Sequence, residues 1–490
     1  IMNIHFPQSQ ELQKQAYGRL AFEEFFLFQV PLILRKLARK QVSGIRHRTK
    51  GELVDAFIKG LAFELTSSQK NVIEEIGFDM AKPQAMQRLL QGDVGSGKTV
   101  VATIAAMMAI QGGYQAAFMV PTEILARQHF EKIFLQAKGV RIGLLTSGLP
   151  RKEHDGIIAG IEAGSIDLVI GTHALLEEDV RFKKLGLVVI DEQHRFGVGQ
   201  RALLPKKGDN PDVLIMTATP IPRTLAITIY GDLDISAIIG MPPGRKAVAT
   251  RCISNEQRQW MYSQIRQQVA LGRQVYVVYP LIEESYAMDL LSAEKMYAEF
   301  KERIFNDLAV GLIHGRLSKS QQDSVMADFK ENKVQILIAT TVLEVGIDVA
   351  NASVMVIEHA DRFGLSQLHQ LRGRIGRGPF ESMCILVSDA RSDEAKARLS
   401  AMERSSDGFI IAEEDLKIRG PGEYFGSRQH GLTGLRIGNP LTQMQLLKRA
   451  REAAVSLVSK DPHLNEPVNQ PLRQKFIHRF PEYEKASIVG

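Results

Sequence analysis

Cysteine is scarce in this chain of 490 residues, since only Cys252 and Cys384 occur. The two lie far apart, and neither belongs to a Cys-x-x-Cys pair or to a histidine spacing typical of zinc ligands. The sequence therefore predicts neither a disulfide framework nor a zinc site. A reducing environment suits such a chain, and we expect a cytoplasmic protein.

Long apolar runs are also missing. No segment approaches the roughly 20 consecutive apolar residues that a membrane-spanning helix requires. The richest stretch, residues 25–28, is flanked by Glu23, Glu24 and Arg35, which favours a buried helix face. The chain opens with Ile1 rather than with a signal sequence, and it shows no internal repeat or low-complexity tract. We therefore expect neither export nor a membrane partner.

The composition that remains is that of an ordinary globular protein, with 44% hydrophobic and 24% charged residues. A single core does not usually accommodate a chain of this length, so about two to four domains are expected. Lysine and arginine exceed aspartate and glutamate by 61 to 55. This basic balance is compatible with a polyanionic partner but is too small to establish one.

Changes in texture divide the chain into four predicted segments. They are a helical connector over 1–50, a first α/β unit over 51–245, a second over 246–395, and a helical and loop-like C-terminal part over 396–490. Pro31 should kink or end the helix of the connector. Residues 241–244, Met-Pro-Pro-Gly, indicate a hinge between the two units.

Both α/β units are predicted from short β-branched runs that alternate with amphipathic helical stretches. In the first unit these strands are 116–120, 168–170, 187–190 and 213–216, and in the second they are 275–278, 335–338, 354–357 and 384–387. The pattern is typical of parallel sheets wound by helices. The predicted fold class is therefore α/β, with two such units in tandem.

A phosphate-binding loop is indicated at residues 92–99. An apolar run precedes it, and a run of residues that favour helix formation follows it. The sequence matches G-x-x-x-x-G-K-[ST] and consists of Gly92, Asp93, Val94, Gly95, Ser96, Gly97, Lys98 and Thr99. Its backbone N–H groups would face phosphate oxygens, Lys98 would reach the β and γ phosphates, and Thr99 would hold magnesium. The alternative, a chance glycine-rich turn, is disfavoured by the strand, loop and helix context.

An acidic pair follows the predicted strand 187–190. Asp191 would lie near the metal, and Glu192 could accept a proton from the attacking water. Hydrolysis further requires charge stabilisation, commonly by an arginine from a neighbouring domain. Arg374 and Arg377 offer this and should share one helical face. Alone, such a string is more often a general polyanion contact, but its place in the second unit favours a catalytic role.

The motifs of both units, taken in chain order, resemble those of superfamily-two helicases. They are residues 63–69, the 92–99 loop, 121–128, 171–173, 191–194 and 217–220 in the first unit, and 314–315, 340–348 and 370–377 in the second. So many short matches in a fixed order make coincidence negligible. The resemblance implies two tandem RecA-like P-loop domains that use ATP and Mg²⁺.

The resemblance also implies a role for individual residues. Phe63 and Gln69 would read adenine, and Asp348 would approach the ribose, with Gly346 as a further nucleotide-binding residue. Gln370 would lie near the γ phosphate, and Arg374 and Arg377 would act as fingers across the cleft. The residues implied to couple nucleotide state to DNA grip are His194, Thr217, Ala218 and Thr219. The residues implied to contact DNA are Pro121, Thr122, Gln128, Gly171, Thr172, His173, His314 and Thr340.

Longer matches narrow the resemblance to RecG helicases and their relatives, the transcription-repair coupling factors. Residues 191–201 and 217–225 are similar to both, and Gln193 with the ending Gln200-Arg201 favours RecG. Residues 406–431 resemble a translocation segment that both groups share, a helical hairpin followed by a loop on duplex DNA. Its expected DNA contacts are Arg428, Gln429 and His430. Without the resemblance, a terminal helical cap that only covers the sheet would be favoured.

The function implied is that of an ATP-dependent double-stranded DNA translocase and helicase. It would remodel stalled forks and Holliday junctions in recombination and repair, with branched or duplex DNA and a single-stranded-DNA-binding protein as partners, and as a monomer. A coupling-factor-like translocase is one alternative, although no RNA-polymerase-binding module is visible. An interaction protein that uses ATP only as a clamp is another, against which the hydrolytic groups Glu192, Arg374 and Arg377 argue.

RecG proteins also carry an N-terminal wedge domain with an OB-like fold that engages the branch point. The residues before Glu11 are too few to form that domain. We therefore expect this chain to keep ATPase activity and to lose specificity for forks.

Overall fold

A computed structural model gives the fold of the protein over residues 2–192, 203–217, 231, 233–242, 246–280, 286–340, 349–419, 435, 437–440 and 442–479. Within these ranges the helices fall around two separate sheets. Among the described helices, none is both long and apolar enough to cross a bilayer.

The first sheet has seven strands in the order β3-β4-β2-β5-β6-β1-β7. The strands are β1 Gln87–Gly92, β2 Gln115–Met119, β3 Ile142–Leu145, β4 Leu168–Gly171, β5 Leu185–Ile190, β6 Asp212–Thr217 and β7 Asp234–Ile238. The helices that precede and connect them are α1 Met2–His5, α2 Gln10–Gln41, α3 Glu52–Lys59, α4 Ser67–Met80, α5 Lys98–Gln111, α6 Glu123–Gln136 and α7 Arg151–Ala163. Every described strand pair of the sheet is parallel, as predicted.

The second sheet has six strands, all paired in parallel over the described residues, in the order β10-β11-β9-β12-β13-β8. The strands are β8 Val248–Ile253, β9 Gln274–Val278, β10 Val310–Ile313, β11 Ile336–Ala339, β12 Ala352–Ile357 and β13 Ser382–Val387. The helices are α8 Arg258–Ala270, α9 Tyr286–Glu299, α10 Lys319–Lys330, α11 Leu365–Arg372, α12 Asp393–Arg404, α13 Gly408–Arg419, α14 Met444–Lys460 and α15 Gln470–Arg479. A π-helical turn, Phe300–Ile304, follows α9.

Both sheets are covered on two faces, which explains why their central strands are apolar without alternation. Strands β2 and β5 are buried at every position. In the first sheet, Leu90 and Phe118 belong to the core on the face of α4 and α5, while Leu89 and Val188 belong to the core on the opposite face. All eight predicted strands are present, because each of them contributes side chains to such a two-sided core.

The carboxyl ends of the strands collect the predicted motifs. The 92–99 loop follows β1, Thr122 follows β2, Thr172 follows β4, Asp191 follows β5, and Thr217 ends β6. Since parallel strands end at one edge of a sheet, these motifs share one edge, where α/β proteins bind ligands.

The two ends of the described chain pack together. Helix α2 lies against α14, with Val30 and Ile33 in a cluster that includes Ala454 and Val458. Of the two predicted effects of Pro31, a kink or an end of the helix, the second is wrong, because α2 continues from Gln10 to Gln41. A proline inside a helix costs about 3 kcal/mol, and burial of the apolar side chains on either side of Pro31 offsets that cost.

Polar contacts fix α2 at two further places. The Glu24 carboxylate accepts the backbone N–H groups of Ile437 and Gly438, at 2.8 Å each. The Lys36 ammonium lies 2.6 Å from the Asp234 carboxylate at the start of β7. Helix α2 therefore contacts both the first sheet and the C-terminal part of the chain.

Candidate nucleotide site

The loop between β1 and α5 curls as the phosphate-binding motif predicts. Gly95 and Gly97 have φ of 79° and 90°, in the left-handed region that glycine adopts without steric cost. Helix α5 begins at Lys98, and the residue before it supplies no side-chain cap to its first N–H groups. An uncapped helix start behind a glycine loop presents donors and the positive end of the helix dipole to an anion.

Gln69 packs directly against this loop. Its side-chain N–H donates to the Ser96 carbonyl at 2.8 Å, and its Oε1 accepts the Thr66 N–H at 2.9 Å, which completes a capping box at the start of α4. A Cβ at Gly97 would overlap Gln69 Nε2. The segment predicted to read adenine is therefore held against the phosphate loop by hydrogen bonds.

Phe63 lies at a cleft of about 390 Å³ beside the same segment. Phe63 is 47% exposed, so part of its ring is open to a ligand. The other lining residues are Ile58, Lys59, Leu61, Ala62, Glu64, Leu65 and Lys70. The cleft reaches Lys70 on α4, one residue from Gln69, so the exposed ring lies where a planar base could pack.

Replacing Gly97 by alanine is expected to weaken nucleotide binding and to destabilise the first unit. The left-handed φ costs a non-glycine residue about 1–2 kcal/mol, and the added methyl group would push Gln69 away. Gly113→Ala is the matched control, because Gly113 has φ of 82° with open space around its Cβ position. Thermal unfolding and titration with a fluorescent ADP analogue would separate the two costs. Equal behaviour of both variants would show that the contact with Gln69 is unimportant.

Lys98 is almost completely buried at the start of α5. Its Nζ donates to the carbonyls of Gly92, at 2.7 Å, and Asp93, at 2.9 Å. Burial lowers the pKa of Lys98, and the carboxylates of Glu192 and Asp191 oppose that shift. The lysine and the acidic pair are thus close enough to interact, as two halves of one phosphate and metal site would be.

The acidic pair lies where β5 ends. Asp191 is 9% exposed, and its Oδ1 accepts the Glu192 N–H at 3.0 Å. Glu192 has φ of 50°, a left-handed conformation that costs a non-glycine residue about 1–3 kcal/mol and is concentrated at functional sites. His129 of α6 places Nε2 at 3.4 Å from Asp191 Oδ2. Sequence reasoning missed His129, since a histidine in an amphipathic helix carries no motif of its own.

The arginine segment of the second unit reaches this site. Gly373 approaches the loop so closely that an added Cβ would lie 2.7 Å from Val94 Cβ. Arg377 donates from Nε to the Gly373 carbonyl at 3.2 Å, and its positive charge contributes to the lowered pKa of Lys98. Gln370 lies on α11 and is 7% exposed.

The expectation that Arg374 and Arg377 share a helical face is wrong. Helix α11 ends at Arg372, and Gly376 has φ of 73°, so the residues that join the two arginines are not helical. They are placed instead by the loop that follows the helix.

Sequence reasoning also missed His369, which joins the two units, and Arg372, which holds His369 from within the second unit. His369 Nε2 contacts Asp93 Oδ1 of the phosphate loop, and Arg372 Nη2 lies 3.1 Å from His369 Nδ1. Arg372 is only 3% exposed. The string Gln-Leu-Arg-Gly-Arg indicates only the later arginines as candidates. The signal for the other two residues is their spacing, because His369 and Arg372 are three apart and therefore neighbours on one helix face.

The predicted DNA contacts of the described residues lie at the carboxyl edges of both sheets. Thr122 accepts the Leu125 N–H at 3.4 Å and caps α6, and His173 Nε2 lies 3.3 Å from Ser147 Oγ. Thr172, Thr340 and His314 are buried. The remaining described members of the set are Pro121, Gln128 and Gly171, and among the coupling residues Thr217 is buried at the end of β6.

Several predicted site residues lie outside the described ranges. They are His194, Ala218, Thr219, Gly346, Asp348, Arg428, Gln429 and His430.

Comparisons with known proteins agree with this geometry. The family model described as DEAD/DEAH box helicase matches residues 62–227, and the helicase conserved C-terminal domain matches residues 257–379. A third, described as ATP-dependent DNA helicase RecG, domain 3, C-terminal, matches residues 405–487.

The ATP-dependent DNA helicase RecG of Bacillus subtilis is 46% identical over 477 residues, which cover 97% of this chain and 70% of that protein. The chain belongs to the RecG family. The RecG of Synechocystis is 47% identical over 98% of this chain and 58% of its own length. The chain thus spans about 58% to 70% of the RecG relatives that it matches.

A solved structure of RecG bound to a three-way DNA junction matches with a TM-score of 0.75 and 46% identity, over 91% of this chain and 59% of that one. Mss116p, solved with single-stranded RNA and AMP-PNP, matches with a TM-score of 0.56 at 15% identity, over 88% and 94%. The latter likeness concerns the fold alone. The fold of this chain is therefore that of two tandem RecA-like helicase domains, as the resemblance to superfamily-two helicases implied.

Proposed function

We propose that this chain is the motor of an ATP-dependent double-stranded DNA translocase that remodels branched DNA, such as stalled forks and Holliday junctions. The observation that supports this most is the contact across the cleft. The phosphate loop of the first unit contacts the arginine segment of the second. A change in the phosphate loop on nucleotide binding or hydrolysis would therefore alter the position of the second unit. The RecG relative solved on a three-way junction provides the analogy for branched DNA.

The residues present fit ATP and Mg²⁺. Gly97 leaves space where a side chain would fill the loop, and hydroxyl and carboxylate oxygens of Thr99 and Asp191 are the donors that magnesium prefers. Phe63 and Gln69 would border the adenine. When bound, magnesium ATP supplies the phosphoanhydride bond that is hydrolysed.

Each side chain then has a task that its position allows. Lys98 would leave the carbonyls of Gly92 and Asp93 and neutralise phosphate charge, while Glu192 accepts a proton from water. Arg377, with Arg374 and Gln370 from the same segment, would bring positive charge from across the cleft. Closure of the cleft thereby completes the catalytic set, and opening disassembles it.

Movement of the second unit would be carried to DNA by the hairpin of α12 and α13. Asp407 caps α13, since its Oδ1 accepts the Phe409 N–H at 2.7 Å. Arg428, Gln429 and His430 beyond the hairpin would contact duplex phosphates, independently of base sequence. We further propose that the chain acts as a monomer and that a single-stranded-DNA-binding protein is one of its partners.

The test is ATP hydrolysis measured with forked, linear duplex and single-stranded DNA of equal length. Duplex-containing substrates are expected to raise the rate by about 5- to 150-fold, the range of ordinary coupling between two sites. The longer RecG of Bacillus subtilis serves as the reference for fork preference. Rates that do not respond to any DNA would contradict a DNA-driven motor and favour an ATP-gated clamp.

A further inference from the structure

Asp93 stands out because one carboxylate joins three separate segments. It is the second residue of the phosphate loop and is 7% exposed. Its Oδ1 accepts the Val94 N–H at 2.7 Å and contacts His369 Nε2, and its Oδ2 accepts the Gly408 N–H at 3.1 Å. The motif requires no particular residue at this position, so phosphate binding alone does not explain an acid there.

The protons of this network can be assigned from its partners. Arginine has only donors, so the Arg372 guanidinium must donate to His369 Nδ1, which leaves Nε2–H to donate to Asp93. Burial alone would raise the pKa of Asp93, but its hydrogen bond and electrostatic interaction with His369 and the backbone N–H groups of Val94 and Gly408 lower that pKa below its ordinary value. Asp93 is therefore an anion that accepts three hydrogen bonds.

The same network forms hydrogen bonds to both ends of the turn between α12 and α13. Arg372 donates through Nη1 to the carbonyls of Met402 and Ser405, at 2.8 Å each. Gly408 is the first residue of α13, and a carboxylate at a helix start is favoured by the helix dipole. The turn is thus bonded to the phosphate loop through Asp93 itself, and again through His369 and Arg372.

Asp93 also contacts the catalytic lysine, because its backbone carbonyl accepts Lys98 Nζ at 2.9 Å. A change in Lys98 when phosphate binds therefore reaches a residue whose side chain holds the turn.

We propose that Asp93 is a positioning residue that passes the state of the phosphate loop directly to the α12–α13 turn. This route differs from that of Arg374 and Arg377, which meet phosphate charge across the cleft. The inference rests on the proposed function for its role in translocation, but the bond from Asp93 to Gly408 exists whether or not the chain moves on DNA.

Asp93→Asn is the central variant, because asparagine keeps the volume but replaces one acceptor oxygen with a donor. Gly408→Pro removes the opposing N–H, at a first helical position where proline is well tolerated. Asp209→Asn, at an exposed position, is the control for loss of one charge. Melting temperature and ADP binding establish that each variant is folded.

The first measurement requires no DNA. Hydrogen exchange of the peptide 405–411 is followed with and without ADP or AMP-PNP. Nucleotide is expected to change exchange of this peptide in the unaltered chain and in Asp209→Asn, and this response should fall by about tenfold in Asp93→Asn, the value of one hydrogen bond to a charged group. An unchanged response in Asp93→Asn would overturn the proposal, whatever the chain does with DNA.

The second measurement is displacement of a third strand from triplex DNA per ATP hydrolysed. Asp93→Asn and Gly408→Pro should each lower this ratio by about tenfold, and the double variant should be no worse than either single one, because both remove the same bond. If Asp93→Asn raises the KM for ATP while displacement per ATP stays constant, Asp93 serves only the phosphate loop and the inference is wrong. If the unaltered chain displaces nothing, the proposed function fails while the exchange result still decides the role of Asp93.

Discussion

Lys98→Ala is expected to lower ATP hydrolysis by at least about 10²- to 10³-fold, the cost of losing one preorganised donor to transition-state charge. Lys98 is the cation at the start of α5, and Glu192, Asp191 and Asp93 all act on it electrostatically. Alanine removes that charge while leaving the glycine loop and the helix intact.

Steady-state release of inorganic phosphate, with and without duplex DNA, checks this prediction. Lys152→Ala is the control, since Lys152 is an exposed lysine on α7. The melting temperature of Lys98→Ala should remain close to that of the unaltered chain, because Lys98 hydrogen-bonds only to carbonyls of its own loop in the described structure. An unaltered rate of hydrolysis would place the active site elsewhere in the chain.

Arg377→Ala is expected to lower the kcat for ATP by about 10³- to 10⁵-fold, the usual contribution of an arginine finger. The positive charge of Arg377 lowers the pKa of Lys98, although the two residues belong to different units. The affinity for ADP should change little, since the arginine acts on charge that develops in the transition state.

Single-turnover hydrolysis and ADP titration separate these two effects. Arg391→Ala, at an exposed position after β13, controls for the loss of one positive charge. Arg377→Lys should recover only part of the rate, because an ammonium does not reproduce the fork geometry of a guanidinium. Equal losses of ADP binding and kcat would instead identify Arg377 as a ground-state phosphate contact.

The sequence carried most of the fold because the strands of a doubly covered parallel sheet are continuous apolar runs. Residues 187–190 and 354–357 illustrate this, and both are buried strands. The sequence does not predict strand β8, Val248–Ile253, because this strand lies at a sheet edge, is only partly buried and carries Thr250 and Arg251 in place of a continuous apolar run.

The nucleotide motifs were equally readable, since their residues are close together in sequence. The contact from Asp93 to His369 spans 276 positions and that from Asp93 to Gly408 spans 315. No local pattern encodes such a pairing, because it depends on how two separately folded units meet. Pro31 shows the same limit, since tertiary packing keeps a helix that local propensity would end.

The packing of α2 against α14 fastens the C-terminal part of the described chain to the first sheet. Helix α2 contacts α14 through its apolar side chains and contacts the first sheet where Lys36 meets Asp234. A movement of α14 relative to the first sheet must therefore either carry α2 with it or break one of these two contacts. The stability of the α2–α14 contact thus limits how far these two parts of the chain can separate, and it does so at a distance in sequence from every nucleotide motif.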